Sequence, residues 1–200
     1  MGDHAMRCVI GVIIAVATAL PAAAQDLLGR REALRLIYPA DAEVESVVLP
    51  HPSLSAPEVE LLGGAIEQGL MPQMVFYGAL AIDPERGLAD PQTTVAVGNY
   101  HDEISAATAA LAGCEAGRDD PETEACTIVL VVRPAGWEAG GVLQLSAGAA
   151  EALRTEFRRL GRPRVFAISD ATGTFGMGPS QETALAGCGA PDCRTVIADN

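Results

Sequence analysis

The chain has 200 residues, enough for one domain or two small ones, and with 49% hydrophobic residues it can bury a core. Aromatic residues make up only 4%, so Ala, Val, Leu and Ile must build most of that core. The formal net charge is -13, and every basic residue is an arginine, since the sequence has no lysine. This balance argues against nucleic acid and anionic membrane surfaces as partners.

The first residues have the features of an export signal. Arg7 gives a positive start, and the apolar run 8–20 is too short for a stable bilayer anchor. An A-x-A cleavage site follows at 22–24, so residues 1–24 are predicted to be a signal peptide. We expect a periplasmic or secreted protein with no stable membrane span after cleavage; the alternative is an uncleaved anchor.

Residues 25–73 are predicted to be an N-terminal extension of helical or irregular structure. Within it, the patterns favour a short helix over 26–37 and a strand over 43–49. Ser55, with Glu58 three residues later, has the pattern of a capping box and predicts the start of a second helix.

Residues 74–200 are predicted to form a duplicated domain, with its first unit at 74–133. Apolar runs in this unit predict three strands, at 74–82, 93–97 and 126–132. A helix is predicted over 102–112, ended by Gly113. Its buried face is predicted from the spacing i, i+3, i+4, i+7 to be Ile104, Ala107, Thr108 and Leu111.

A connector, residues 134–163, is predicted to link the two units. It carries a short candidate strand at 142–145 and a helix capped by Ser146. The buried face of that helix is predicted to be Leu153, Phe157 and Leu160.

The second unit, residues 164–200, repeats the order of the first. It is predicted to have strands at 165–169, 174–177 and 193–198 and a helix from Ser180 to Ala186. The pentapeptide Ala-Leu-Ala-Gly-Cys ends the helical stretch of both units, at 110–114 and again at 184–188. The sequence therefore predicts an α+β fold with one mixed β-sheet packed by helices. That fold is built from two related strand-strand-helix-strand units, and each unit has a local disulfide.

Signal cleavage would remove Cys8 and leave four cysteines: Cys114, Cys126, Cys188 and Cys193. An even number in an exported chain predicts disulfides, and four cysteines allow three connectivities. The repeated layout favours the local pairs Cys114–Cys126 and Cys188–Cys193. A zinc site is the alternative, but the two cysteine spacings do not match one another and no His lies near either pair.

The second unit resembles a family of small exported bacterial domains of unknown function. The resemblance rests on Phe166–Ser169, Phe175-Gly176, the helix ending in Cys188, and Cys193–Val196. The whole chain is similar to exported alphaproteobacterial proteins through Asn99–Asp102 and Arg133–Trp137. This similarity of the whole chain implies the same two-unit layout, and it implies no established activity.

Some of those similar proteins carry the name 5-aminolevulinate synthase, and chemistry argues against that activity. The synthase holds pyridoxal phosphate as a Schiff base on a lysine, and this chain has none. The chain is also short for that enzyme class and is predicted to be exported away from acyl-CoA. No cofactor is expected.

The densest polar cluster is Asn99–Glu103, which contains His101 and Asp102. These two are weak catalytic candidates, since a His beside carboxylates can act as a general base or bind a metal. The alternative is a helix N-terminus, where acidic residues are favoured by the helix dipole. No nucleophile is identifiable as a partner, so no catalytic residue and no metal site are assigned.

Two aromatic residues are binding candidates, Tyr100 and the single tryptophan, Trp137. Trp137 follows a turn-rich stretch and either anchors a ligand or covers the edge of the core. The stretch Gly173–Gly178 lacks the order of a phosphate-binding loop and is expected to be a hairpin strand. The acidic loop 115–124 lacks calcium-loop spacing and is expected to be solvated.

The leading functional hypothesis is a non-enzymatic exported module that binds a small ligand or another envelope protein. The alternatives are a small exported hydrolase that uses His101 and a purely structural or inhibitor-like module.

Overall fold

The computed structural model describes residues 27–200, so the predicted signal peptide lies outside the described residues. The elements are α1 (Arg30–Leu36), β1 (Val44–Val48), α2 (Ala56–Gly64), β2 (Gly78–Ile82), β3 (Val95–Val97), α3 (Glu103–Ala116), β4 (Thr127–Pro134), α4 (Ala147–Arg154), α5 (Glu156–Arg159), β5 (Arg164–Ile168), β6 (Phe175–Gly178), α6 (Gln181–Cys188) and β7 (Arg194–Asp199). Over 27–200, no helix has the length and apolar character needed to cross a bilayer.

The predicted α+β class is confirmed, but the strands form two antiparallel sheets and not one mixed sheet. The first sheet has the order β1-β4-β2-β3 and the second the order β6-β5-β7. Every paired neighbour is antiparallel. The parallel pairs expected from helix crossovers are absent from the named strands of 27–200, because each crossover passes over a central strand. In the first unit α3 joins β3 to β4, and β2 lies between them.

The two units share strand order and also an irregularity. In the first, the register of β2 with β4 shifts after Leu80, which leaves Val129 as the extra residue. In the second, the register of β5 with β7 shifts after Phe166, which leaves Val196 as the extra residue. A β-bulge therefore lies at the equivalent point of both units.

The central strand of each unit separates small from large side chains. In β2, Ala79 and Ala81 pack beneath α3, whereas Leu80 and Ile82 face a second core layer with Leu62 of α2. In the second unit, Ala167 packs beneath α6, whereas Phe166 and Ile168 face α4 and α5. Alanines on one face let the helix lie close to the sheet, and the large side chains fill the other face.

Both predicted disulfides are confirmed. Cys114 is bonded to Cys126 with a Cα–Cα distance of 6.1 Å, and Cys188 to Cys193 with a distance of 6.2 Å. Each bond ties the end of a helix to the residue before the next strand, at the same place in both units.

The predicted buried face of α3 is only half right, because Ala107 and Leu111 pack against the core cluster whereas Ile104 and Thr108 are exposed. The residues that face the sheet are Ala106, Ala110 and Cys114, whereas Ile104 is 79% exposed. Cys114 must face Cys126 to form the disulfide, and i−4 and i−8 from it are Ala110 and Ala106, so the covalent bond fixes which face of the helix is buried.

Two predicted helix ends and one predicted strand are also wrong. α3 continues through Gly113 to Ala116, and α6 continues through Gly187 and ends at Gly189, whose φ is 76°. Gly113 instead allows close packing, since a Cβ there would lie 2.9 Å from the Val95 side chain. In the second unit the close approach is made by Gly176, because a Cβ on it would lie 2.6 Å from the backbone carbon of Gly187. No strand forms at 142–145.

Other parts of the connector and the extension differ in detail from expectation. The helix capped by Ser146 is broken at Thr155 into α4 and α5, while Leu153 and Phe157 are buried as predicted. The predicted extension contributes β1, which pairs with β4 as the edge of the first sheet. Ser55 and Glu58 form the predicted capping box at the start of α2.

Candidate functional site

A groove of about 700 Å³ lies where the two units meet, and we call it the inter-unit groove. It is lined by Leu27, Leu28, Asp102, Glu103, Ile104, Ser105, Trp137, Ala139, Gly140, Gly141, Val142, Leu143, Gln144, Asp170, Arg194, Thr195 and Val196. Cavities of about 300–1,000 Å³ are typical of small-molecule sites. The groove is therefore the candidate functional site.

Three elements from different parts of the chain build the walls of the groove. The first turn of α3 belongs to the first unit, and the start of β7 belongs to the second. The segment 137–144 of the connector closes the third side. Leu28, which pairs in parallel with Ile197 of β7, brings the N-terminal segment to the same place.

Two large apolar side chains stand at the groove almost fully exposed. Ile104 is 79% exposed and Val142 is 80% exposed, and Leu27 beside them is 45% exposed. No other large apolar side chain described over 27–200 is as exposed as Ile104 and Val142. A ligand that filled the groove would remove these side chains from water, which is favourable because apolar surface is buried.

Trp137 stands at the edge of the groove, held by polar contacts on two sides. Its indole N–H donates to the Gln144 side-chain oxygen at 3.3 Å, and the Arg133 guanidinium lies 4.5 Å from its ring centre. Arg133 also donates to Glu45 at 2.7 Å and to Glu103 at 3.1 Å. Those carboxylates, Glu45 first, raise the pKa of Arg133. The binding candidate Trp137 is thus a wall residue of the groove.

The segment that carries Trp137 also separates the groove from a second cavity of about 420 Å³. Six residues line both cavities: Trp137, Ala139, Gly140, Gly141, Leu143 and Gln144. The Tyr38 hydroxyl donates to the Gly136 carbonyl at 2.9 Å and anchors one end of the segment.

His101 is buried at the junction of the two units, and both of its ring nitrogens are bonded to backbone. The Ser146 N–H donates to Nδ1 at 3.0 Å, so Nδ1 is unprotonated. Nε2–H then donates to the Thr174 carbonyl at 3.0 Å. The imidazole is therefore neutral, and burial lowers its pKa. A histidine so engaged has no free nitrogen with which to take a proton from a substrate.

Asp102 acts as the N-cap of α3. Its Oδ1 accepts from the Ser105 N–H at 2.7 Å, and its Oδ2 accepts from the Ser105 hydroxyl at 2.9 Å. Asp102 therefore has the geometry of a helix N-terminus, which is the alternative interpretation of this cluster. The neighbouring Asn99 has a φ of 63° and its side chain accepts from the Gly148 N–H at 3.2 Å, a second bond across the junction.

Tyr100 lies outside the groove. Its backbone N–H donates to the Tyr77 carbonyl at 3.0 Å, and its ring packs against the core cluster beneath α3. Burial raises the pKa of its hydroxyl. The structure therefore brings Asp102 and Trp137 to the groove and leaves Tyr100 and His101 behind its wall.

The other motifs examined in the sequence have structural roles. The stretch Gly173–Gly178 forms β6 and the turn before it, and a Cβ on Gly176 would collide with the backbone of α6. In the acidic loop, Arg118 donates to Glu115 at 2.5 Å and to the Thr123 carbonyl at 2.8 Å. Among the described residues, no group of three His, Cys, Asp or Glu side chains is arranged to hold a metal ion.

The two exposed apolar residues of the groove, Ile104 and Val142, were missed by sequence reasoning. Ile104 was assigned to the core because its spacing suited a buried face, and Val142 to a strand because its neighbours are apolar. The signal that would have found Ile104 is the disulfide, because a helix that buries Cys114 turns Ile104 away from the sheet.

No family model, no curated protein and no solved structure matches this chain.

Proposed function

We propose that this chain is an exported, non-catalytic binding protein, and that the inter-unit groove holds a small ligand or a segment of another envelope protein. The observation that carries the proposal is the pair of apolar side chains, Ile104 and Val142, which stand about 80% exposed in one cavity. Both would lose contact with water if the groove were filled, and burial of each would contribute about 1–2 kcal/mol to binding.

Export is supported by the two disulfides together with the N-terminal sequence pattern. Disulfides persist in oxidising compartments such as the periplasm or the exterior and are rare in the cytosol. Acidic residues exceed basic ones by 13 over the whole chain, which suits a protein that stays in solution.

The hydrolase alternative depends on His101, and no observation favours it. A general base needs an unshared nitrogen within about 3.2 Å of the proton that it removes. Both nitrogens of His101 are already bonded to the backbone of the second unit and the connector. The imidazole holds the two units together and lies behind the groove wall.

The proposal is tested by native mass spectrometry of the protein purified under mild conditions from its own host. We expect a bound species on the wild-type chain that is lost from the double variant Ile104→Asp/Val142→Asp. Leu70→Asp is the matched control, because Leu70 is 54% exposed and does not line the groove. A bound species that remains on the double variant would place the binding site elsewhere.

A further inference from the structure

The inter-unit groove has more negative than positive side chains along its walls. Three carboxylates line it, Asp102, Glu103 and Asp170, against one guanidinium, Arg194. The exposed Asp170–Arg194 ion pair, with contacts of 3.0 and 3.2 Å, carries no net charge. The remaining carboxylates, Asp102 and Glu103, lie together at the start of α3.

Neither of these two carboxylates is fully neutralised by a neighbour. Arg133 is shared between Glu103 and Glu45, so one positive charge serves two negative ones. Among the described residues, Asp102 has no cation within ion-pair distance and bonds only to Ser105. The start of α3 contributes roughly +0.5 of a charge, which is less than the negative charge left on the two side chains. The groove is therefore negative at the end where α3 begins.

The apolar part of the groove lies beside this negative end. Ile104 follows Glu103 directly in the chain, and Val142 adds the second exposed apolar side chain from the connector. A ligand that fills the groove would thus place an apolar body against Ile104 and Val142 and its polar end near Glu103.

We propose that the inter-unit groove binds a small organic cation with an apolar body, such as an alkyl or aryl amine. The cavity of about 700 Å³ suits a small molecule. A stable protein partner would need about 800 Å² of contact on each side, much more than a cavity of this kind supplies. This inference rests on the proposed function, and it names the chemical class of its ligand.

The tryptophan in the groove wall provides the measurement. Trp137 is the only tryptophan in the chain, so its fluorescence reports on the groove and on the smaller cavity that it also lines. Loss of the signal in Ile104→Ser/Val142→Ser assigns it to the groove, because those two residues line only the groove. The probes are octylammonium and nonanoate, which carry the same eight-carbon chain on head groups of opposite charge, titrated below the concentrations at which they aggregate. We expect octylammonium to bind roughly fivefold or more tightly at low salt, as expected for partly exposed charges. The ratio should approach one as added salt screens the head group.

Variants separate the groove from the general negative charge of the protein. Asp170→Asn should reduce the preference for octylammonium by roughly two- to threefold, because it removes a carboxylate and leaves Arg194 unpaired. Glu60→Gln is the matched control, since it makes the same charge change at an exposed position of α2 and should leave the ratio unchanged. Ile104→Ser/Val142→Ser should weaken both probes about equally.

The outcomes distinguish the two proposals. Equal binding of the probes, or tighter binding of nonanoate, would overturn the cation inference and leave the groove as a ligand site. The same fall in ratio for Glu60→Gln and Asp170→Asn would also overturn it, because the preference would then come from net charge. No change in Trp137 emission with either probe would contradict the groove as a ligand site, and the cation inference with it.

Discussion

At the residue scale, His101 illustrates how a polar cluster can serve structure when its composition suggests chemistry. Its ring takes a hydrogen bond from Ser146 and gives one to Thr174, so three segments meet at one side chain. Close packing supports the junction, because a Cβ on Gly173 would lie 2.7 Å from the Asn99 carbonyl oxygen. Sequence patterns identify the residue types of this cluster, but one hydrogen-bond partner of the imidazole comes from the second unit, 73 residues further on.

The burial of His101 predicts a dependence of stability on pH. Its pKa in the folded chain lies below the ordinary 6.5, so below pH 6.5 the unfolded chain binds a proton that the folded chain does not. The free energy of unfolding should therefore fall as the pH drops from 6.5 toward 5, and this loss should stop below the folded-state pKa. Urea unfolding at several pH values measures it.

Replacement of the imidazole tests the origin of that dependence. His101→Gln should lower the free energy of unfolding at pH 7.5 by about 1–3 kcal/mol, because the buried hydrogen bonds are not both kept. It should also flatten the slope between pH 6.5 and 5. His51→Gln is the control for loss of a histidine elsewhere. An unchanged slope in His101→Gln would assign the dependence to other groups.

Phe157 provides a second test at this scale, because it fills the core between α5 and the second sheet. It is fully buried, with its ring 5.7 Å from that of Phe166 in an edge-to-face arrangement. Phe157→Ala should cost about 3–5 kcal/mol in the free energy of unfolding. Leu70→Ala, at an exposed position, should change it by less than about 0.5 kcal/mol. A cost for Phe157→Ala no larger than that of Leu70→Ala would contradict the packing.

At the element scale, the sequence predicts the features that a short stretch of chain determines and misses those that depend on distant residues. Most strands, the Ser55, Ser146 and Ser180 caps and the cysteine pairs follow from short patterns, and the structure confirms them. The buried face of α3 did not follow, because the helix is rich in alanine on every side and has almost no apolar bias. The disulfide from Cys114 to Cys126 sets the orientation of α3 and thereby turns Ile104 away from the sheet.

The pairing of strands was also beyond local patterns. The sequence shows that a helix joins two strands, but not that a third strand lies between them, as β2 does between β3 and β4. The groove depends on this arrangement together with the packing of the two units. For that reason Trp137 could be singled out from the sequence as a candidate, whereas its cavity could not.

Removal of the two disulfides should lower the free energy of unfolding by unequal amounts. They close loops with sequence separations of 12 and 5 residues. By chain entropy, Cys114→Ala/Cys126→Ala should cost about 3 kcal/mol and Cys188→Ala/Cys193→Ala about 2 kcal/mol. Chemical denaturation of the two double variants against wild type measures both. A larger loss for the shorter loop would show that strain or packing, not loop closure, governs their contribution.

At the scale of the whole molecule, the two units are joined by buried contacts and not by a flexible linker. Asn99 and His101 form hydrogen bonds to the connector, and His101 forms one to the second unit as well. The N-terminal segment joins both sheets, because β1 pairs with β4 of the first and Leu28 pairs with Ile197 of the second. We therefore expect residues 27–200 to unfold in one cooperative transition. Differential scanning calorimetry should show a single peak whose calorimetric and van't Hoff enthalpies agree. Two separated peaks would mean that the units are independent.

The central claim is that the surface between the units is where this protein binds its ligand, and a nuclear magnetic resonance titration tests it most directly. Amide shifts of the ¹⁵N-labelled protein would be followed as octylammonium is added. The account predicts that the largest changes fall on 102–105, 137–144 and 194–196, and that they vanish in Ile104→Ser/Val142→Ser. Largest changes elsewhere, for example around the exposed Leu61 and Leu70, would contradict it.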